Sequence, residues 1–135
     1  MTDDVLISVE GKVGRIRLNR PKAIHALNTG MCEAILAALA DMATDLEASR
    51  ALLYLAAAKV TANAPDKSRF SAMAKRLATD NGSKIVNDAL QLFGGYGYLK
   101  DYPIERFWRD LRVHSILEGT NQVMRMIVGR ELSRQ

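Results

Sequence analysis

Residues 31–64 read MCEAILAALADMATDLEASRALLYLAAAKVTANA and contain neither proline nor glycine. Apolar residues recur in this stretch mostly at steps of three and four, as they do along the core-facing side of an α-helix. The recurring residues are Ala34, Ile35, Ala38, Leu39, Met42, Leu46, Leu53 and Ala57. Asn28 and Thr29 precede the stretch, and both residue types cap helix N-termini. Pro65 follows it and disfavours helical backbone in the residue before it. The pattern therefore predicts one long helix over about residues 30–61.

A second helical pattern follows Pro65. Its apolar face comprises Phe70, Met73, Ala74, Leu77, Ile85, Ala89, Leu92 and Phe93. Gly82 lies within it, at an expected cost of roughly 1 kcal/mol relative to alanine. The pattern ends at residues 94–97, which read GGYG and suit a helix cap followed by a tight turn.

Two shorter helices are predicted in the remainder of the chain. One begins at Pro103, because proline is favoured in the first turn of a helix. The other begins near Thr120, whose hydroxyl suits an N-cap. Four amphipathic helices joined by short turns predict an antiparallel helix bundle, so the expected fold class is mainly α.

The front of the chain has a different character. Residues 5–9 and 13–18 are short runs rich in β-branched residues, and Gly11 lies between them. Such runs on either side of a glycine predict a β-hairpin, which Pro21 would end. The bundle is therefore expected to follow a short hairpin.

Composition narrows the functional classes. The chain has 135 residues and a formal net charge of +4, and its basic residues are scattered, so no nucleic-acid partner is expected. Cys32 is the single cysteine and excludes an intramolecular disulfide, while His25 and His114 are too isolated to suggest a metal site. No apolar run approaches the roughly 18 residues of a membrane span, and a cytoplasmic location is expected.

Two segments have residue types suited to chemistry. Residues 118–122, EGTNQ, fall in a turn between predicted helices, where Glu118 is either a base shielded by a ligand or an ordinary surface glutamate. Residues 91–98, QLFGGYGY, either expose backbone N–H groups to a phosphate or simply cap a helix. Each segment alone leaves both alternatives open.

Together and in order, the motifs are more specific. QLFGGYGY at 91–98, KDYPIERFWRD at 100–110 and ILEGTNQVMR at 116–125 resemble the C-terminal helical domain of the flavin-dependent acyl-CoA dehydrogenases. The resemblance extends back through ADMATDLEASRALLYLAA at 40–57 and assigns residues 39–135 to that domain.

The resemblance implies a role for several residues. Glu118 matches the base that removes the α-proton of an acyl-CoA while FAD accepts hydride from the β-carbon. Thr120 and Gln122 match positions near the flavin. The segment that lies along the dinucleotide part of FAD, held mainly by a neighbouring subunit, is matched by Gln91, Phe93, Gly94 and Gly95. A homodimer or homotetramer is implied as well.

Residues 1–38 form a separate predicted segment. GRIRLNRPKAIHALNTGMCEAILAAL at 14–39 is similar to the start of the enoyl-CoA hydratase superfamily, and most similar to 3-hydroxyisobutyryl-CoA hydrolases. That family's later catalytic segments have no counterpart here, so a hydrolase is not expected. Because both families act on CoA thioesters, we hypothesise that two neighbouring genes were fused by a deletion.

The resemblance covers only part of a dehydrogenase. The family also has an N-terminal helical domain and a middle β domain, and neither is matched here. A base without a hydride acceptor cannot turn over, so we expect no dehydrogenase activity from this chain alone. The alternative function is a non-catalytic helical module for binding or oligomerisation.

Overall fold

The computed structural model of the chain describes residues 4–10, 13–19, 22 and 27–134. A two-stranded hairpin of β1 (Val5–Glu10) and β2 (Val13–Leu18) precedes the helices α1 (Thr29–Thr61), α2 (Lys67–Phe93), α3 (Ile104–His114) and α4 (Asn121–Leu132). A short 3-10 helix, Gly94–Tyr98, follows α2 directly. The predicted fold class, a mainly α bundle preceded by a β-hairpin, is confirmed.

Helix α1 begins where the sequence predicts but buries only part of the predicted apolar face. The side chain of Asn28 accepts a hydrogen bond from the backbone N–H of Met31 and so caps the helix. The buried residues of α1 are Met31, Met42, Ser49 and Ala56. Leu39, Leu46 and Leu53, which were predicted to face the core, are 44%, 46% and 52% exposed. That part of the prediction is wrong because α1 packs mainly against α2, with its Met42–Ala56 side.

Helix α2 is the central element. Helices α1, α3 and α4, the 3-10 helix and strand β2 all pack against it. Its turn from α1 is fixed by Lys59, whose Nζ donates to the two carboxylate oxygens of Asp66 at 2.9 and 2.8 Å. These hydrogen bonds lower the pKa of Asp66 below its usual value. The same Nζ lies 4.3 Å from the centroid of the Phe70 ring.

A polar layer joins α1 to α2 further along. Asn81 Nδ2 donates to the backbone oxygen of Asp45 and to Ser49 Oγ, both at 3.1 Å. Lys84 Nζ donates to Asp45 Oδ2 at 2.8 Å, which raises the pKa of Lys84. Asp88, one turn after Lys84, is only 7% exposed, and its Oδ1 has no hydrogen-bond partner. Burial raises the pKa of this carboxyl.

The hairpin is antiparallel, with Val5 opposite Leu18 and Ile7 opposite Ile16. It packs against α2 through β2, and Asn28 Nδ2 donates to Asp4 Oδ2 at 2.5 Å. The predicted turn at Gly11, and His25, lie outside the described residues. The predicted boundary between residues 38 and 39 falls inside the uninterrupted helix α1 and stays a prediction.

None of the helices within the described ranges is both long enough and apolar enough to cross a membrane.

Candidate functional site

The loop between α3 and α4 has an unusual backbone. Glu118 has a φ of 54° and Gly119 a φ of 88°, so two consecutive residues lie in the left-handed region. For a residue with a Cβ this conformation costs roughly 1–2 kcal/mol. Such strain persists only where the surroundings impose it, and it is concentrated at functional sites. The exposed side chain of Glu118 therefore lies at a conformationally imposed position.

Gly119 cannot be replaced without moving its neighbour. A Cβ at this position would lie 2.6 Å from Cε of Met124, closer than non-bonded carbon atoms approach. Met124 is itself buried in the first turns of α4, with 8% of its surface exposed. The glycine thus lets the loop pass closely over α4.

A hydrogen-bond network centred on the buried Asn121 holds this loop against α2. Lys75 Nζ donates to the backbone oxygen of Gly119 and to Asn121 Oδ1, both at 2.7 Å. Asn121 Nδ2 donates to Thr79 Oγ1 and to Asp80 Oδ1, both at 2.8 Å. Only 3% of Asn121 is exposed, so its side chain depends on these partners for its hydrogen bonds.

The direction of the hydrogen bonds in this network follows from the single proton of the Thr79 hydroxyl. Thr79 Oγ1 lies 2.9 Å from the backbone oxygen of Lys75 and 3.1 Å from Asn121 Oδ1. Because Oγ1 accepts from Asn121 Nδ2, its proton is best directed to the backbone oxygen of Lys75. Asn121 therefore makes three strong side-chain hydrogen bonds that tie the loop and α4 to α2.

The loop is also closed by α3 and α4 themselves. The backbone N–H of Asn121 donates to the oxygen of Ser115 at 3.1 Å, and that of Leu117 donates to the oxygen of Val113 at 3.0 Å. Thr120 Oγ1 accepts from the backbone N–H of Val123 and caps α4 as predicted. The Glu118 carboxylate is therefore presented from a short loop that is anchored on both sides.

A cleft of about 460 Å³ opens beside this loop, between α2, α3 and the N-terminus of α4. Its lining includes Thr120 and Gln122, two of the residues predicted to lie near a flavin. Three cations, Lys84, Arg112 and Arg125, also line it, against the single carboxylate of Asp80. Asp80 Oδ2 lies 3.4 Å from Arg125, and Asp45 Oδ2 lies 2.8 Å from Lys84, so the charges of these two cations are partly neutralised. The cleft thus combines hydrogen-bonding side chains, a helix N-terminus and a cationic excess, which suits an anionic ligand.

The other predicted site residues lie elsewhere. Gln91, Phe93, Gly94 and Gly95 are all exposed, and none of them lines this cleft. Thr79 contacts the Glu118 loop, and Gln91 follows it on α2 by a distance of about 18 Å, from the helical rise per residue. The structure therefore places the two predicted motifs in two separate surfaces of one chain.

The glycine segment at the end of α2 has an open backbone. Gly94 has a φ of 60°, and neither it nor Gly95 has another group within 4 Å of the position a Cβ would take. Gly97 differs, because a Cβ there would lie 2.7 Å from the backbone oxygen of Leu90. Gly94 and Gly95 thus leave room for a ligand or another chain to approach, whereas Gly97 serves packing.

Comparison with known proteins identifies the family of the chain. Residues 29–133 match the family model described as acyl-CoA dehydrogenase, C-terminal domain. The chain belongs to the acyl-CoA dehydrogenase family. The matched range begins at residue 29, whereas the sequence motifs placed the start of this domain at residue 39. The similarity to the enoyl-CoA hydratase superfamily remains a prediction.

Individual relatives agree with this family assignment. The chain is 58% identical over 96 residues to the mitochondrial isobutyryl-CoA dehydrogenase of Dictyostelium discoideum, covering 71% of this chain and 23% of the relative. It superposes with a TM-score of 0.73 and 40% identity on butyryl-CoA dehydrogenase from Megasphaera elsdenii, covering 81% of this chain and 29% of that one. A solved structure titled as the electron transferring flavoprotein of Acidaminococcus fermentans gives a TM-score of 0.73 and 46% identity, covering 76% of this chain and 27% of that one. The chain therefore spans about a quarter of the length of these relatives.

Sequence reasoning missed the residues that hold the acyl-CoA dehydrogenase motif in place. Asn121 lies within EGTNQ, yet nothing in the motif indicates that it is buried. Lys75 and Thr79 lie more than 40 positions earlier, at separations of 46 and 42 residues from Asn121. Such long-range pairs leave no periodic signal in one sequence, so only the fold brings them together.

Proposed function

We propose that this chain provides the C-terminal domain of an FAD-dependent acyl-CoA dehydrogenase, with Glu118 as the base that removes the α-proton of a short or branched acyl-CoA. The observation that carries the proposal is the Glu118 loop. A glutamate in the left-handed region, on a loop anchored by Lys75 and Asn121, has its backbone held in one conformation at a cost in energy, which fixes the direction in which the side chain leaves the loop.

Proton abstraction requires this kind of preorganisation. A base must meet the substrate Cα–H within hydrogen-bond reach, and a loop that is already ordered does not lose entropy in reaching that position. The hydrogen bond from Lys75 to the oxygen of Gly119 restrains the peptide unit directly after Glu118. Lys75 and Asn121 therefore act as positioning residues, whereas Glu118 is the group that would touch the substrate.

The residues around the cleft fit FAD. The cleft is lined by the hydroxyl of Thr120, the amide of Gln122 and three cations, which match the ribityl hydroxyls and phosphates of a dinucleotide. FAD, when bound, supplies the acceptor for the hydride that leaves the substrate β-carbon. We propose that Thr120 and Gln122 orient the flavin portion beside Glu118.

The glycine segment supports a second contact with FAD. Gln91 and Phe93 lie about 18 and 21 Å along α2 from Thr79, by the helical rise, and Gly94 and Gly95 follow α2 directly. We propose that these residues meet the dinucleotide part of an FAD held mainly by a neighbouring subunit, because the backbone at Gly94 and Gly95 is open to approach. This arrangement requires a homodimer or homotetramer.

The substrate class is proposed from the relatives. Isobutyryl-CoA and butyryl-CoA dehydrogenases are among the similar proteins, which favours a short acyl chain. We further propose that residues 1–38 are an enoyl-CoA hydratase-like segment joined to the dehydrogenase domain within α1. Because the chain spans about a quarter of these relatives, turnover is proposed to need the remaining domains.

A chimera tests the role of Glu118. Residues 39–135 would replace the equivalent C-terminal region of the Dictyostelium isobutyryl-CoA dehydrogenase, with which the chain is 58% identical over 96 residues. We expect the chimera to bind FAD and to oxidise isobutyryl-CoA. Glu118→Gln should lower the rate by about 100-fold or more while FAD stays bound, which is the usual effect of removing a general base.

Glu131→Gln is the matched control, since it changes another glutamate to its amide in α4. It should leave the rate within about twofold, as expected of a surface change. A chimera that binds FAD but loses no activity with Glu118→Gln would contradict the proposed role. The unaltered chain, mixed with FAD and isobutyryl-CoA, is expected to reduce no electron acceptor.

The alternative function is a non-catalytic helical module for binding or oligomerisation. The exposed leucines of α1 favour it, since a helix with apolar residues outside its packed face usually has a partner. Gel filtration after addition of FAD separates the two functions. A retained flavin absorption band favours the flavoprotein domain, and a colourless oligomer favours the module.

A further inference from the structure

Helix α1 carries an uncovered stripe of residues that we name the α1 seam. Its members alternate at spacings of three and four residues, the heptad pattern with which helices pair in coiled coils. The seam consists of Leu36, Leu39, Ala43, Leu46, Arg50, Leu53, Ala57 and Val60. Seven of its eight members are apolar, and Arg50 is the exception near the middle.

The seam lies beside the face that α1 buries against α2. Met42, Ser49 and Ala56 form that buried face, and each of them directly precedes a seam residue. All eight seam residues are exposed, and its large members, Leu36, Leu39, Leu46, Leu53 and Val60, are 64%, 44%, 46%, 52% and 53% exposed. From Leu36 to Val60 the seam is about 36 Å long and about 10 Å wide. Its area of about 360 Å² lies in the lower part of the range of about 300–600 Å² for the largest apolar patches on soluble monomers, which are often functional.

We propose that the α1 seam binds the α1 seam of a second copy of this chain, with the two helices antiparallel and a twofold axis beside Ala48. In this register Leu36 lies opposite Val60, and Leu39 lies opposite Ala57. Ala43 lies opposite Leu53, and Leu46 lies opposite Arg50. Each alanine thus faces a leucine, so that large side chains fill the space that small ones leave. A self-complementary surface of this kind forms a closed dimer.

Arg50 selects the antiparallel orientation. In a parallel pair in register, Arg50 would face Arg50 of the second copy across the apolar seam, and like charges in that position are unfavourable. In the antiparallel pair each Arg50 lies beside Leu46 and Glu47 of the second copy. Arg50 already forms an ion pair with Glu47 of its own chain, so the two glutamates and two arginines can form one mixed cluster.

This inference deepens the oligomer in the proposed function, but it depends on α1 alone. It uses neither Glu118 nor any residue of the cleft. A failure here would leave the proposed dehydrogenase role intact, and a failure of flavin binding would leave the seam intact. The two can therefore be tested separately.

The first test measures mass in solution by light scattering and sedimentation equilibrium. The chain has a mass of 14.9 kDa and is expected to behave as a dimer or a larger even assembly. Leu53→Glu places a charge in the seam and should raise the dissociation constant at least about tenfold, which is about 1.4 kcal/mol. Leu55→Glu is the matched control, because Leu55 is similarly exposed at 45% but points away from the seam.

The outcomes are clear because both variants make the same change on one helix. A smaller mass for Leu53→Glu alone, with unchanged circular dichroism, supports the seam. A monomeric wild-type chain, an unchanged mass for Leu53→Glu, or equal dissociation by both variants would overturn it. The comparison remains valid if glutamate lowers helix stability, since Leu55→Glu carries the same penalty.

The second test measures orientation by disulfide formation in a Cys32→Ser background, which removes the exposed natural thiol. Chains with Leu39→Cys are mixed with chains carrying Ala57→Cys and then oxidised. The antiparallel register predicts a cross-linked heterodimer and little cross-linking by Ala57→Cys alone, whose two copies would be about 27 Å apart along the helices. Efficient cross-linking of Ala57→Cys with itself would indicate a parallel pair and refute the register.

Discussion

Replacing Asn121 with alanine is expected to destabilise the chain by about 2–3 kcal/mol. The side chain is 3% exposed and makes three hydrogen bonds of 2.7–2.8 Å, two of them to the charged groups of Lys75 and Asp80. At about 1 kcal/mol net for each bond, and somewhat more for the charged partners, the loss is about 3–4 kcal/mol. The better helix propensity of alanine offsets roughly 0.5 kcal/mol, and water reaching the partners offsets part of the remainder.

The measurement is urea unfolding followed by far-ultraviolet circular dichroism. Gln122→Ala is the matched control, because it truncates a neighbouring but exposed amide on the same helix turn and should change the unfolding free energy by less than about 0.5 kcal/mol. A loss below about 1 kcal/mol for Asn121→Ala, or equal losses for the two variants, would refute the assignment of Asn121 as the link between the loop and α2.

Three further changes test other parts of the fold. Gly119→Ala should lower the unfolding free energy by at least about 1–2 kcal/mol, since it adds a Cβ at positive φ. Gly129→Ala, in open space on α4, should raise it by up to about 1 kcal/mol, and thermal unfolding of the two variants measures both changes. Burial raises the pKa of Asp88, so the folded chain loses stability as pH rises through that pKa. The Asp88→Asn chain should therefore be more stable than the unaltered chain at neutral pH, and unfolding measurements that showed no gain in stability would contradict this. The hydrogen bonds from Lys59 lower the pKa of Asp66, so their stabilisation is present above the unfolded pKa and is lost as pH falls through the folded pKa. The unfolding free energy of an Asp66→Asn chain should therefore depend less on pH in the acid range, and identical pH dependence in the two chains would exclude the effect.

Local chemistry explains which parts of the fold were predictable. Asn28 and Thr120 identify helix starts because a side-chain oxygen accepts a backbone N–H within three residues, and both caps form as predicted. The breaks at Pro65 and Gly94 likewise depend on the backbone of one or two residues. The buried face of α1 was not predictable, because apolar residues occupy two adjacent stripes and only the position of α2 decides which stripe is covered.

The candidate site also has a part that the sequence predicts and a part that it does not. EGTNQ and QLFGGYGY identify the family, since their order and spacing are specific. The left-handed backbone of Glu118 could not be predicted, because glutamate carries no preference for it and the residues after it are held by hydrogen bonds from the distant Lys75 to Gly119 and Asn121. The distance between the two motifs also depends on the fold, since EGTNQ packs against residues 75–80 of α2 whereas QLFGGYGY forms the end of α2 and the 3-10 helix.

The central place of α2 has a consequence for how the molecule tolerates change. Helices α1, α3 and α4 make their principal contacts with α2 rather than with one another in the part of the chain that the structure describes. Each of these three helices therefore packs on its own surface of α2 and depends little on the other two. A change at the front of α1 should require no adjustment in α3 or α4, and hydrogen exchange should show α1, α3 and α4 opening separately before α2 does.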